Sequence, residues 1–214
     1  MSEAVVLCGF AFLAGLVDAV VGGGGLLQVP ALMAMLPAAS VALILGTNKL
    51  SSIAGTAIAA LRFGWSVPIH WRAVIPAAIL AAIGASFGAK VAVSVDGEFL
   101  KPLVVGVLLI MLVQTLFQRH LGSKNLNPKS STANIVGLSV LGSIMGFYDG
   151  FLGPGTGTML IFGMVKLFRY DFLSAAATTK VLNLATNFGA LAVFAATGNV
   201  AYGIGLPMVV MNIM

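Results

Sequence analysis

The sequence predicts an all-α polytopic membrane protein of two inverted repeats, each a glycine-broken helical hairpin followed by transmembrane helices. Three observations carry that expectation: an apolar composition, two interrupted apolar regions, and one shift that superposes them. Of 214 residues, 59% are hydrophobic and only 8% charged, and the mean hydropathy is +1.07. A soluble domain carries about 25% charged residues with which to cover its outside. This chain has too few, so lipid is the expected solvent. The net charge of +5 does not argue for nucleic acid, because the basic residues mostly flank apolar runs and there orient a chain in a bilayer. Cys8 is the one cysteine, so no intrachain disulfide can form. The apolar start carries Glu3 where a secretory signal would be basic, and no small-x-small cleavage site follows. It reads as part of the mature fold.

A spanning helix needs about 20 mostly apolar residues. Full-length candidates are 41–61, 68–93, 99–118 and 172–196. Regions 3–37 and 132–168 are apolar but interrupted, by Gly22-Gly23-Gly24-Gly25 and by Gly153-Pro154-Gly155-Thr156-Gly157. The segments after the breaks, 26–36 and 158–168, are too short to span alone. The polar stretch from Arg119 to Ser131 reads as a linker. The expected division is an N-terminal repeat, 1–118, a cytoplasmic linker, 119–131, and a C-terminal repeat, 132–214.

The two halves match at one shift. Gly15, Asp18, Gly22 and Gly24 fall on Gly146, Asp149, Gly153 and Gly155, 131 residues further on, as Asp18 and Asp149 show. Without a gap, the same shift places Thr47 and Lys49 on Thr178 and Lys180. Matched interrupted segments in an internal repeat are the usual sequence pointer to a secondary transporter. The shift also projects spans 68–93 and 99–118 onto 199–224 and 230–249, beyond Met214, so the second repeat reads as incomplete and a natural product of about 250 residues is expected.

Charge sets the expected orientation. If each interrupted region enters the bilayer and returns, loops 62–72, 119–131 and 166–171 share one face, with Arg62, Arg72, Arg119, Lys124, Lys129, Lys166 and Arg169. The other face holds Glu3, Asp96 and Glu98, with Lys90 and Lys101 near its boundary. The basic face should be cytoplasmic, with Trp65 and Trp71 as interfacial anchors.

The candidate chemistry lies at the breaks and on the middle helix of each half. Glycine lets the backbone leave helical geometry and lets a ligand approach it. The second part of a broken helix then presents N–H groups and a dipole that favour anions. Gly146 and Gly150 instead fit small-residue packing between helices. A nucleotide loop is not expected, since no Lys-Ser or Lys-Thr follows Gly22 to Gly25. Lys49 and Lys180 are costly at membrane depth, about 2.5–3.5 kcal/mol each, and are functional candidates by default. Beside them run two polar stripes, Asn48, Ser52 and Thr56, and Thr179, Asn183 and Asn187, at the four-residue spacing of one helix face. The expected substrate-binding set is Gly22, Gly23, Gly24, Gly25, Asn48, Lys49, Ser52, Gly153, Gly155, Thr156, Gly157, Thr179, Lys180 and Asn183. Asp18 and Asp149 are candidates for proton coupling or for ion pairing, in which Lys49 would pair with Asp18 and Lys180 with Asp149. His70 and His120 are too far apart to suggest a metal, and no Ser-His-Asp set, HExxH motif or Cys/His cluster appears. Neither an enzyme nor a cofactor is expected.

The motif Gly15-x-x-Asp18-x-x-x-Gly22-Gly23-Gly24-Gly25 followed by Pro30, its second copy from Gly146 to Gly157, and the Thr47-Asn48-Lys49 and Thr178-Thr179-Lys180 pairs resemble the TauE/SafE family, often called sulfite exporters. The resemblance runs along the whole chain and departs where Pro154 replaces a glycine. It implies seven or eight transmembrane helices and movement of sulfite, sulfoacetate or related organosulfur anions across the bacterial inner membrane. The expected function is therefore a secondary transporter, an exporter of small anions, whose partners are a sulfur-containing anion and the lipid bilayer. An anion channel and a non-transporting membrane assembly subunit are the alternatives.

Overall fold

The computed structural model describes residues 2–117 and 132–214, and among them finds helices and no strand. In chain order these are α1 (Ser2–Val21), α2 (Gly25–Met35), α3 (Val41–Ser66), α4 (Trp71–Ser94), α5 (Gly97–Phe117), α6 (Thr132–Phe151), α7 (Thr156–Phe168), α8 (Phe172–Ala196) and α9 (Tyr202–Ile213). The expected linker 119–131, with Arg119, His120, Lys124 and Lys129, lies outside the described residues. By length and apolarity α3, α4 and α8 each qualify alone as membrane spans. α3 absorbs Arg62, which the sequence placed in a loop.

Local signals set the helix ends. Ser40 caps α3 by accepting a hydrogen bond from the Leu43 N–H at 3.2 Å, and Asp171 caps α8 by accepting one from Ser174 N–H at 3.0 Å. Those two caps stand 131 residues apart. So do the first residues of α2 and α7, of α3 and α8, and of α4 and α9, and so do the prolines inside α4 and α9, Pro76 and Pro207.

Each break turns the chain back into a hairpin. Gly24 is pressed so closely on α1 that a Cβ there would lie 2.8 Å from the Ala14 carbonyl oxygen. A Cβ on Gly137, near the start of α6, would lie 2.9 Å from Phe168 Cζ, at the end of α7. A continuous helix would hold those two residues far apart, since it rises about 1.5 Å per residue.

Packing follows the same exchange between halves. α3 lies against α8, α4 against α6 and α8, and α9 against α1 and α3. Small residues permit the close contact of α4 with α6. A Cβ on Gly142 would meet the Ala77 carbonyl oxygen at 2.8 Å, and one on Gly146 would meet Ala81 Cα at the same distance. Gly150 is likewise pressed on Ala85. In a bilayer, where lipid tails remove the hydrophobic drive between helices, such approach supplies dispersion contact instead. Gly146 and Gly150 are packing residues, as their spacing suggested.

Two buried clusters fill the ends. One gathers the start of α1, the end of α2 and the turns before α3 and α9, through Leu7, Leu32, Leu36, Ala39 and Val200. The other gathers the start of α6, the end of α7 and the turns before α4 and α8, through Leu138, Met164, Ile69, Phe168 and Tyr170.

Candidate functional site

The two breaks meet at the centre. Gly22 and Gly153 hold φ of 77° and 89°, a left-handed conformation that a side chain makes costly. They occupy matching positions after α1 and α6. A Cβ on Gly22 would lie 3.2 Å from Gly157 Cα, so the two breaks touch backbone to backbone. Pro154 stands where the first break has Gly23, and Tyr148 Oη donates to its carbonyl oxygen at 2.6 Å.

The lysines reach these breaks from α3 and α8. Lys49 Nζ lies 2.6 Å from Asp149 Oδ2, and Lys180 Nζ lies 2.9 Å from Asp18 Oδ2. Lys180 also donates to the Asp18 carbonyl oxygen. The pairing is crossed, with each lysine holding the aspartate of the other half, which corrects the expectation that Lys49 pairs with Asp18 and Lys180 with Asp149. The reason is the contact of the breaks themselves. Because they abut, the loop of one half lies over the middle helix of the other, and a Cβ on Gly153 would lie 4.0 Å from Lys49 Nζ.

Burial makes these pairs consequential. Lys49 is 3% exposed and Lys180 1%. The Asp149 side chain is 6% exposed and that of Asp18 18%. A buried charge is tolerated when paired and hydrogen-bonded, and removing one partner leaves the other without compensation. Thr156 Oγ1 lies 2.8 Å from Asp149 Oδ1 and 2.8 Å from the Gly153 carbonyl oxygen. The position matching Thr156 in the first break is Gly25, which has no hydroxyl.

Between the breaks lies a cavity of about 40 Å³, lined by Asp18, Gly22, Gly25, Asn48, Lys49, Ser52, Asp149, Gly153, Gly155, Thr156, Gly157 and Asn183, all of them expected at the site. Its volume holds about two or three water molecules. Thr56 and Asn187 also line it. They stand 131 residues apart, and Asn187 Nδ2 approaches Thr56 Oγ1 at 3.4 Å where α3 and α8 cross, a long and weak bond.

Four expected residues do not line the cavity. Gly23 faces a larger apolar groove between α2 and α5. Gly24 packs on α1 beside Asp18 Cβ. Lys180 is taken up by Asp18, and Thr179 Oγ1 is buried without a hydrogen-bond partner. Asn48 Oδ1, Asn183 Oδ1 and Thr158 Oγ1 share that condition, and such orphaned buried atoms are rare enough to call for an explanation. The N–H groups of Leu26, Leu27 and Gln28 already bond the carbonyls of Gly23 and Gly24. Any N–H offered to an anion at the first break must therefore precede Leu26.

Sequence reading missed Gln28. It is fully buried, donates from Nε2 to Ser51 Oγ at 2.5 Å and accepts from Ser52 Oγ at 3.1 Å. The repeat gave no warning, because the matching residue is Met159. A lone amide in the apolar helix α2 was the only signal.

Comparison with known proteins accords with this architecture. A probable membrane transporter protein of Sinorhizobium is 35% identical over 92% of this chain and 74% of its own length. One from Haemophilus influenzae is 32% identical over 99% of this chain and 81% of its own. The probable membrane transporter protein YfcA of Escherichia coli is 31% identical over 96% and 75%. No solved structure matches the chain. The sulfite exporter TauE/SafE family matches residues 7–214, and the chain belongs to that family of multi-pass membrane transporters.

Proposed function

We propose that the chain is a secondary transporter that exports a small anion, an oxidised sulfur compound such as sulfite, sulfoacetate or another organosulfur anion, across the bacterial inner membrane. Alternating access between two inverted repeats, 1–118 and 132–214, moves it. The single observation that carries this reading is the crossed pair of Lys–Asp bridges, both lysines buried, around one small polar cavity. Two lysines and two aspartates sum to zero charge when no anion is present. An arriving anion competes with a carboxylate for a lysine, and the site then holds one negative charge in excess. In a low-dielectric interior that excess is costly, and a proton taken up by the freed carboxylate removes it. Anion and proton thus move together.

Inversion is supported by the turns. Those before α3 and α8 occupy matching positions in the repeat but pack in different end clusters, as do those before α4 and α9. The end with the turns before α4 and α8 carries the exposed basic residues Arg72, Lys166 and Arg169, and faces the cytoplasm. Because each ion pair joins the two repeats, rocking one repeat against the other must break and remake it.

The test is flux of an anion panel into proteoliposomes. Saturable, gradient-driven transport of a sulfur oxyanion or organosulfonate is expected, and transport of none of them defeats the substrate assignment. Large single-channel currents would replace the carrier with a channel. Unchanged cellular anion tolerance in Lys49→Ala and Lys180→Ala, with loss of a co-purifying protein, would replace it with an assembly subunit.

A further inference from the structure

We propose that Asp149 alone carries the coupled proton, and that the Thr156 hydroxyl relays its protonation state to the second glycine break; this rests on the anion–proton reading above. The argument is a count of hydrogens. Thr156 Oγ1 sits 2.8 Å from both Asp149 Oδ1 and the Gly153 carbonyl oxygen. While Asp149 is ionised, both neighbours only accept, and the hydroxyl has one hydrogen to give. The charged carboxylate is the stronger acceptor and takes it. When a proton from water adds to Asp149, the new O–H donates to Thr156 Oγ1, and the threonine hydrogen turns to the Gly153 carbonyl. The carboxyl O–H is the one bond formed, and it breaks again when the proton leaves to water on the other side.

The relay ends where movement matters. Gly153 is the left-handed residue of the break and lies beside Lys49. The next carbonyl, that of Pro154, is already held by Tyr148. A protonated Asp149 therefore completes a set of side-chain bonds to two successive carbonyls of the break, and an ionised one leaves the set incomplete. The first break has no such device. Val17 and Gly25 stand at the positions of Tyr148 and Thr156, and neither side chain can donate.

The charged surroundings of Asp149 are few. Lys49 faces it from α3, and the Asp18–Lys180 pair lies beyond, from α1 and α8. α4 turns Ala77, Ala81 and Ala85 to α6, while Arg72 and Lys90 of α4 and Lys166 of α7 are exposed.

The experiment uses methanesulfonate, which stays ionised at every pH used, and reads its steady-state accumulation in proteoliposomes of the whole chain with the membrane potential held at zero. This ratio reports coupling and not rate. One coupled proton gives about tenfold accumulation per pH unit of gradient. Wild type and Thr156→Ser are expected to reach that ratio, and Thr156→Val and Asp149→Asn to equilibrate without accumulation. Full accumulation by Thr156→Val, or by Asp149→Asn, overturns the proposal. If wild type moves no methanesulfonate, the anion–proton reading fails for sulfonates. Infrared titration without substrate then decides the relay. A protonated-carboxyl band absent in Asp149→Asn, with its midpoint moved in Thr156→Val and kept in Thr156→Ser, supports it. A band lost only in Asp18→Asn, or an unmoved midpoint in Thr156→Val, contradicts it.

Discussion

Lys49 and Lys180 are the residues on which most depends, because each is buried and joins one half of the chain to the other through a carboxylate. Removing one member of such a pair strands a charge in apolar surroundings. Lys49→Met should therefore cost about 3–5 kcal/mol of stability, and Lys49→Met with Asp149→Leu should recover much of it. Thermal unfolding in detergent checks this, and a double-mutant cycle should give a coupling above about 1 kcal/mol for Lys49 with Asp149 and none for Lys49 with Asp18. The lysines, the aspartates and the polar stripes were all legible in the sequence, because charge is conspicuous in an apolar helix. Their partners were not. Pairing depends on which break lies over which helix, and a repeat matches residues without saying whether matched units contact themselves or each other. Gln28 escaped for a related reason, since Met159 at the matching position breaks the repeat.

At the scale of the elements, the helix starts followed the caps and the shift, and the breaks formed where the glycines stood. Asp171 gives a pH-dependent test. Burial pushes its carboxyl up, but hydrogen bonds from the side chain and backbone of Ser174 and from the backbone of Leu173 and Asp171 together outweigh this, and the group lies below its ordinary range. A lowered folded-state value means a contribution that is complete above the unfolded pKa and lost as pH falls through the folded one. Asp171→Ala should cost about 1 kcal/mol at neutral pH, and the difference from wild type should shrink in acid when thermal unfolding is followed across pH. The contact of α4 with α6 gives a steric test. Gly150→Val drives a side chain into Ala85 and should lower the unfolding temperature sharply. Gly203→Ala, with nothing within 4 Å of the new methyl, should leave it equal or raised, since alanine favours helix by up to about 1 kcal/mol.

For the whole molecule, the halves share one cavity that neither could build alone. Lys49 and Asp149 line it from different halves, and Gly22 touches Gly157 across it. Two half-sites that happened to lie side by side would not need crossed pairs. The central claim is thus a single anion site per chain, held jointly. Equilibrium titration of the purified chain with the best-transported sulfur anion tests it most directly. One site per chain, lost in Lys49→Gln and equally in Lys180→Gln, is the predicted result. Two sites, each abolished by only one of the two substitutions, would contradict it.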